Sequence, residues 1–448
     1  MLNLRFTGLR ALAVGTSALA LTLSLGVSAP GAGGVEIPPT PTPLLTPLDV
    51  QRSTAPIPTA QGVKKAIGQL SRSNSWGSFS GVVVDPGSGR VLFDRRSDRP
   101  LIPASTVKLA TAAAALHTFG LTHRIATTVS GDGTTVYLTG GGDSTLTRPQ
   151  LRKLARETAK ALGATQGTNS GKSKSVALAF DDSLFTGPAL GPGWFRSFPA
   201  AGVAAPVTSL MVGLGRTAPG ARARVRNPAR QAAQLFATNL RSAGVTVSSV
   251  SRKITPSSAT ELARHESAPM SALVGGVLTD SDNDLAESLA HLVGGKALGD
   301  ASFAGGAKAT TAILKTSGID IAGMRLVDGS GISRENAISA ETLADLLSRG
   351  ALGTEPRWAP IASGLAIAGV TGTLKDRYSS KATKAGAGVV RAKTGSLTGV
   401  SSLAGLVRDE DGRLLVFALI SNKVSSLPGA RETMDTIASR LAKCGCTS

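Results

Sequence analysis

The chain is poor in the side chains that support redox, metal and histidine-dependent chemistry. Its 448 residues include two cysteines and four histidines. No metal-ligand spacing connects the histidines, which are His117, His123, His265 and His291. None of them stands in a pattern that would serve a Ser-His-Asp hydrolase. These absences argue against a zinc peptidase, and we expect no metal and no organic cofactor.

Both cysteines lie at the C-terminal end. Cys444 and Cys446 are separated by one residue, so a bridge between them would close a very small and strained ring. An exported domain without internal disulfides depends on its hydrophobic core. We expect the two cysteines to have little structural role, with free thiols and intermolecular pairing equally open.

Aromatic and acidic residues are also scarce. Aromatic residues make up 4% of the chain, and 48 lysines and arginines against 29 acidic residues give a formal net charge of +19. Nucleic acid is a usual partner of such basic chains, but the low aromatic content and the lack of a nucleic-acid motif exclude it here. In an exported protein the charge favours anionic cell-wall polymers or anionic lipid headgroups as partners.

The N-terminal region is typical of an export signal followed by a spacer. Arg5 and Arg10 precede an apolar stretch that ends in the small residues VSA before Pro30. We expect residues 1–29 to be a cleaved signal peptide, although the stretch is almost long enough to remain as a membrane anchor. Residues 30–60 are rich in proline and threonine, which predicts an extended linker.

The first of three short motifs is Ser105-Thr106-Val107-Lys108. It opens a stretch rich in alanine and leucine that predicts a helix, and a helix places Ser105 and Lys108 on one face. A serine hydroxyl becomes a nucleophile when a base removes its proton. Lys108 can be that base if burial, or a second cation such as Lys393, lowers the pKa of its amine. Taken alone, the motif favours a capping serine and a solvated lysine.

The second motif, Ser281-Asp282-Asn283, lies between two segments with helical periodicity, 271–278 and 284–293. Ser281 and Asn283 are two residues apart in a short connector, so both can point into one cleft. There the serine can relay a proton and the asparagine can hold a substrate amide. Taken alone, the motif favours a turn that caps the next helix.

The third motif, Lys393-Thr394-Gly395, follows a β-like run. On an edge strand its lysine and threonine can bind a substrate carboxylate. The backbone N–H groups of Ser396 and Ser105 can then form an oxyanion hole. Taken alone, the motif is equally a lysine and a glycine at the end of a strand.

The combination is far more specific than its parts. Each motif occurs once, and the three follow the order S-x-x-K, S-D-N, K-T-G of penicillin-binding proteins and class A β-lactamases. Together they predict a serine acyl-transfer site with a lysine base. The predicted catalytic residues are Ser105, Lys108, Ser281, Asn283 and Lys393, and the predicted substrate-binding residues are Thr394, Gly395 and Ser396.

Further segments extend the resemblance along the chain. They are LTGGGDSTLT (138–147), DDSLFTGP (181–188), PGW (192–194), VDGSGISREN (327–336), AGVTGTLKDR (368–377) and RAKTGSLTGVSSLAGLV (391–407). With them, the chain resembles the D-alanyl-D-alanine carboxypeptidase/endopeptidase family S13 of penicillin-binding proteins over residues 62–443.

The sequence departs from this family at one place. Members usually carry an insertion of two subdomains between the first two motifs. Here Leu210-Met211-Val212 runs almost directly into a predicted helix, which indicates that the smaller subdomain is missing. Gly213 stands where the family usually has the acid of Met-Val-Asp. The three motifs are unaffected.

The resemblance implies an α/β (α+β) fold of the serine β-lactamase/transpeptidase-like type, with an antiparallel sheet flanked by helices and the helix of Ser105 at its centre. We expect the catalytic domain to comprise residues 61–125 and 263–443, with an inserted subdomain at 126–262 and a tail at 444–448. A hairpin at 80–94 and strands at 401–407 and 414–420 are expected in its sheet.

The function implied is that of a serine-type D-Ala-D-Ala carboxypeptidase, accompanied by DD-endopeptidase activity. Its substrates would be peptidoglycan stem peptides, cleaved through an acyl-enzyme at Ser105, and β-lactam antibiotics would inhibit it by acylating the same serine. The implied location is extracytoplasmic, at the cell wall, or at the membrane if the signal is retained.

Two alternatives share these features. A serine β-lactamase has the same three motifs, but class A enzymes add a glutamate that activates the deacylating water. No Glu-x-x-x-Asn segment follows Ser281 closely, since Glu287 is followed by His291. A non-catalytic cell-wall-binding protein is the second alternative, and the intact motifs argue against it.

Overall fold

The computed structural model describes residues 54–72, 76–164 and 175–445, which all belong to one unit of the chain, Pro43–Ser448. The predicted signal peptide lies outside these residues, as does most of the predicted linker. Cys446 also lies outside them. Cys444 is buried in a hydrophobic cluster and is disulfide-bonded, so of the alternatives left open by the sequence, a free thiol is wrong for this cysteine. The expectation of little structural role stays a prediction.

Helices and strands are numbered in chain order over the described residues. The helices are α1 (Ala60–Ser71), α2 (Lys108–Phe119), α3 (Arg148–Ala161), α4 (Phe198–Ala201), α5 (Pro228–Ser242), α6 (Met270–Thr279), α7 (Asn283–Leu298), α8 (Phe303–Thr316), α9 (Ala340–Leu352), α10 (Ala359–Ser363) and α11 (Leu427–Ala442). The strands are β1 (Ser78–Asp85), β2 (Arg90–Arg95), β3 (Ala126–Gly131), β4 (Thr135–Gly140), β5 (Ser175–Asp181), β6 (Thr246–Arg252), β7 (Thr260–Glu266), β8 (Ala366–Ile367), β9 (Arg391–Leu397), β10 (Val400–Arg408) and β11 (Leu414–Asn422). Among these helices, none is long and apolar enough to cross a membrane.

The first sheet has the strand order β2-β1-β11-β10-β9-β8, with antiparallel neighbours. The pairing of β1 with β11 joins the N-terminal hairpin to the C-terminal strands, as predicted. Val416 and Ala418 of β11 enter one hydrophobic cluster, and Leu415 and Phe417 enter another. Because successive side chains of a strand point to opposite faces, both faces of the sheet are covered. The predicted fold class is confirmed.

Helix α2 lies at the centre of the first cluster, which α6, α7, α8 and α9 complete, whereas α1 and α11 cover the other face of the sheet. Every residue of α2 from Lys108 to Leu116 is buried. A single 3₁₀ turn, Ala104–Val107, precedes the helix and carries Ser105. Three residues per turn place Ser105 directly in line with Lys108.

A second sheet, with the strand order β6-β5-β4-β3-β7, occupies the chain between the first two motifs. β5 is parallel to β4 and β6, and the other pairs are antiparallel. Helices α3 and α5 pack against this sheet and against each other. The strand β7 crosses residue 262, the predicted limit of the inserted subdomain. The proposed division into domains stays a prediction.

A left-handed turn explains the glycine at the family departure. Gly213, Leu214 and Gly215 have φ angles of 58°, 58° and 62°. The turn is held by the Gly213 N–H, which donates to the Leu146 carbonyl at 2.7 Å. Glycine adopts positive φ without the steric cost that a side chain brings, so the local backbone favours Gly213 over an acidic residue.

Candidate active site

The buried amine of Lys108 contacts three polar groups of the site. Its Nζ lies 2.9 Å from Ser105 Oγ, 2.7 Å from Asn283 Oδ1 and 2.5 Å from the Ser330 carbonyl oxygen. The structure thus brings together the S-x-x-K serine and lysine with the asparagine of S-D-N, as the sequence predicted for one cleft. Ala104, just before the serine, has a φ of 49°, in the sparsely populated left-handed region.

All three neighbours of the Lys108 amine are oxygen atoms that can accept a hydrogen bond from it. The Ser330 carbonyl can only accept a hydrogen bond. The Asn283 amide is fixed with its oxygen toward Lys108, because its Nδ2 donates to the Val203 carbonyl at 2.8 Å. In the structure, Lys108 also donates to Ser105 Oγ. In its neutral form the amine has two N–H groups and one lone pair, so it can keep the two other bonds and accept from the Ser105 hydroxyl.

Burial favours that neutral form. Desolvation lowers the pKa of Lys108 to about 8, against the opposing effect of nearby carboxylates such as Glu287 and Asp328. The lysine is completely buried. The sequence pointed to burial or a second cation, and burial is the main cause.

Lys393 is the second lysine of the site. Its Nζ donates to Ser281 Oγ at 2.8 Å and to the Thr394 carbonyl at 2.9 Å. Burial lowers the pKa of Lys393 well below its ordinary value, and the charge of Lys108 lowers it further. Ser281 itself has a φ of 61°, which turns the S-D-N connector into the cleft. The serine of the second motif and the lysine of the third therefore meet.

The strand β9 passes very close to the nucleophile. An added Cβ at Gly395 would lie 2.1 Å from Ser402 Oγ, 2.6 Å from the Pro103 carbonyl and 3.1 Å from the Ser105 backbone nitrogen. Only glycine allows this approach. On its outer side, β9 pairs with β8 only through Arg391 and Ala392 among the described residues, so its K-T-G stretch forms the sheet edge there.

Two further hydroxyls continue along β9 beside the motif lysine. Thr394 Oγ1 donates to Thr373 Oγ1 at 2.9 Å, and Ser396 Oγ accepts from Arg431 Nε at 3.3 Å. Thr394 and Ser396 are two residues apart, so both project from the same face of the strand. Lys393 and Gly395 face Ser281 and Ser105 from the opposite side of β9. The eight predicted site residues are therefore grouped at this strand, on its two faces.

A buried glutamate supports the floor of the site. Glu287 accepts hydrogen bonds from the backbone N–H groups of Gly329 at 3.0 Å and Ser330 at 2.7 Å. These bonds hold the turn whose Ser330 carbonyl receives Lys108. Burial and the neighbouring Asp328 raise the pKa of Glu287 above its ordinary value, while the two hydrogen bonds oppose this shift.

The S-D-N connector is also a helix cap, as the alternative interpretation of the motif predicted. Asp282 accepts from the Leu285 N–H at 2.8 Å and caps α7. The next residue, Asp284, forms a buried ion pair with Arg224 at 2.8 Å. Asp284 also accepts from the Ala205 N–H at 2.6 Å. The polypeptide that carries Val203, the partner of Asn283, is thereby anchored to α7.

Sequence reasoning missed the supporting residues. Glu287, Ser330 and Thr373 were not given roles, although the last two lie in segments that carried the family resemblance. Val203 contributes a backbone carbonyl, which no side-chain pattern reveals.

His291 is buried between Phe185 and Phe303, and burial lowers its pKa to about 4. Across residues 54–72, 76–164 and 175–445, no group of three or more His, Cys, Asp or Glu side chains could hold a metal ion.

The fold and the grouping of the three motifs place the protein in the penicillin-binding class. The sequence pattern of the D-Ala-D-Ala carboxypeptidase 3 (S13) family matches residues 63–223 and 216–444. The chain belongs to this family of serine-type D-Ala-D-Ala carboxypeptidases, as predicted. The two matched segments overlap at residues 216–223, close to Gly213, where the sequence departs from the usual family pattern. The cell-wall role of the family implies an extracytoplasmic location.

Known relatives cover nearly the whole chain. The chain is 36% identical to Carboxypeptidase Rv3627c of Mycobacterium tuberculosis over 433 residues, which are 94% of this chain and 92% of that protein. It is 36% identical to Carboxypeptidase DacB of Mycolicibacterium smegmatis, covering 92% and 90%. The crystal structure of penicillin binding protein 4 (dacB) from Haemophilus influenzae matches with a TM-score of 0.72 at 22% identity, covering 86% of this chain and 100% of that chain. At 22% identity, this structural similarity shows that the two proteins share a fold.

Proposed function

We propose that the protein cleaves the terminal D-Ala-D-Ala bond of peptidoglycan stem peptides through an acyl-enzyme at Ser105, with DD-endopeptidase activity at the same site. The observation that carries the proposal is the position of the Lys108 amine, 2.9 Å from Ser105 Oγ and saturated elsewhere by two acceptors. Such an amine takes the hydroxyl proton as Oγ attacks the carbonyl carbon of the penultimate D-Ala. The Ser105 and Ser396 N–H groups receive the negative oxygen.

Collapse of the tetrahedral intermediate then breaks the amide C–N bond. The proton held by Lys108 passes to the departing amine, with Ser281 and Lys393 in the relay, since Lys393 donates to Ser281 Oγ. Asn283 orients the acyl amide. Water hydrolyses the Ser105 ester, which returns the serine hydroxyl and completes the net addition of one water molecule.

The edge of β9 supports the peptide. Beyond Ala392 no described strand pairs with this edge, so it can add an extended substrate as a further strand, while Thr394 and Ser396 bind the terminal carboxylate. A β-lactam presents a strained amide and a carboxylate in a similar arrangement, so we propose that β-lactams acylate Ser105 and inhibit the enzyme.

The direct test is release of D-alanine from diacetyl-L-Lys-D-Ala-D-Ala by the wild type and by Ser105→Ala. We expect release by the wild type only, together with covalent labelling of the wild type alone by a fluorescent penicillin. Release that persists in Ser105→Ala would refute the assignment of the nucleophile. Rapid hydrolysis of the penicillin without D-alanine release would indicate a β-lactamase instead.

The pH dependence of acylation provides a second test. Because the free amine is the reactive form, its fraction rises with pH through the pKa of about 8. The penicillin acylation rate constant should therefore increase about tenfold per pH unit at low pH and level off above about pH 8. A rate that is flat between pH 6 and 9 would contradict a lysine base.

We further propose that anionic cell-wall polymers bind the outer face of α3. Residues 126–262 contain 16 lysines and arginines and six acidic residues, which supplies more than half of the net charge of +19. Exposed cations follow one another along this helix: Arg152, Lys153, Arg156 and Lys160. The single acid of α3, Glu157, pairs weakly with Lys153 at 3.7 Å. A surface of one sign attracts polyanions through long-range electrostatics.

Polyphosphate is a suitable probe for this surface. The triple variant Arg152→Glu/Arg156→Glu/Lys160→Glu should lose most polyphosphate binding at about 0.15 M salt. A matched variant on α7 and α8, Lys296→Glu/Lys308→Glu/Lys315→Glu, changes the charge equally and should bind like the wild type. Equal losses in both variants would show that net charge alone governs binding. Binding to phosphatidylglycerol vesicles but not to polyphosphate would assign the face to membranes.

A further inference from the structure

We propose that Arg431 binds the α-carboxylate of the leaving residue and thereby selects peptides that end in a free carboxylate. This inference rests on the proposed function and adds a specificity-determining residue to it. Arg431 lies in the first half of α11, outside the three motifs.

The position of Arg431 places it beside the hydroxyls that line β9. Its Nε donates to Ser396 Oγ at 3.3 Å, and Ser396 shares a strand face with Thr394, which contacts Thr373. One guanidinium and three hydroxyls therefore border the sheet edge along which the substrate backbone would lie. A carboxylate bound by Thr394 and Ser396 would be within reach of the guanidinium.

Lys393, the other cation of this edge, is already engaged. It is completely buried, and its amine donates to Ser281 and to the Thr394 carbonyl. These contacts favour a role for Lys393 in the proton relay. The sequence also predicted that Lys393 binds the substrate carboxylate, and its buried amine is poorly placed for that role. The guanidinium is the cation better placed for a carboxylate, and its planar fork matches one in two parallel hydrogen bonds.

Within the part of the chain that the structure describes, Arg431 forms no ion pair, and Asp435 acts on it only at longer range. Asp435, one turn further along α11, is held by Arg377 through two hydrogen bonds of 2.9 and 2.6 Å. Among the ion pairs of residues 54–72, 76–164 and 175–445, none includes Arg431. The half-buried guanidinium thus carries a desolvation cost that a substrate carboxylate would offset.

The test compares two peptides and three variants. The peptides are diacetyl-L-Lys-D-Ala-D-Ala and the same peptide ending in D-alaninamide, which lacks the negative charge. The variants are Arg431→Gln, Arg431→Lys as the conservative change, and Arg440→Gln as a control. Arg440 lies on the same helix, where it is exposed and donates to the Ala66 carbonyl at the far end from β9.

Arg431→Gln is expected to lower kcat/KM about 10–100-fold for the carboxylate peptide and to leave the amide peptide within about twofold. Arg431→Lys should recover part of the loss, and Arg440→Gln should match the wild type. Equal losses on both peptides would show that Arg431 has a merely structural role and would overturn the inference. The proposed function would still stand in that case, provided that the wild type releases D-alanine. Release of neither product by the wild type would overturn both.

Discussion

Replacement of Lys108 by alanine is expected to slow acylation of Ser105 by about two to four orders of magnitude, the usual contribution of a positioned general base. The amine lies 2.9 Å from the serine oxygen and is held by the Ser330 carbonyl and Asn283. A water molecule that fills the space left by this buried lysine is a far weaker base than the amine, so it does not replace the lysine. Single-turnover labelling by a fluorescent penicillin measures the effect.

A second variant separates chemistry from packing. Lys108→Met keeps most of the side-chain volume and removes only the amine, so it should fold at least as well as Lys108→Ala while labelling equally slowly. Thermal unfolding followed by circular dichroism provides the check on folding. Near-wild-type labelling by a folded Lys108→Met protein would refute the base assignment.

Gly395→Ala is expected to reduce acylation by at least about 100-fold, the size of loss that a displacement of about 1 Å can cause at a reacting centre. The added methyl group would overlap Ser402 Oγ and the Pro103 carbonyl, at 2.1 and 2.6 Å. The strand must then move away from Ser105, and the N–H of Ser396 moves with it. Acylation kinetics and D-alanine release should fall together.

Gly275→Ala is the matched control for this substitution. Gly275 lies within α6, where an added Cβ meets nothing within 4 Å. Alanine also has the higher helix propensity, so this variant should keep wild-type activity and equal or higher stability. A Gly395→Ala enzyme that acylates as fast as Gly275→Ala would show that the close approach of β9 is not required.

Local sequence patterns predicted the elements that carry the motifs. The alanine-rich run after Ser105 forms α2, and the segments on either side of S-D-N form α6 and α7. The hairpin and the C-terminal strands were also predicted, because their apolar runs are bounded by turn residues. Helix α3, strand β7 and helix α11 were not identified.

Contacts between distant segments explain what was missed in the site. Glu287 resembles any helical glutamate in sequence, and its role depends on its two hydrogen bonds to a turn 42 and 43 residues away. Arg431 and Ser396 are separated by 35 residues. The motifs identified the reacting side chains because each motif is a short continuous segment of the sequence. The groups that orient these side chains come from distant segments, and only tertiary packing brings them together.

The two hydrogen bonds of Glu287 bear on how antibiotic resistance could arise in this scaffold. Both carboxylate oxygens are committed to backbone N–H groups beneath the lysine, so freeing this residue to activate water would dismantle the turn that orients Lys108. A lineage evolving toward drug hydrolysis would have to recruit a different general base from elsewhere on the cleft wall. Until then, the penicilloyl ester should be long-lived, and the drug should act as a suicide inhibitor.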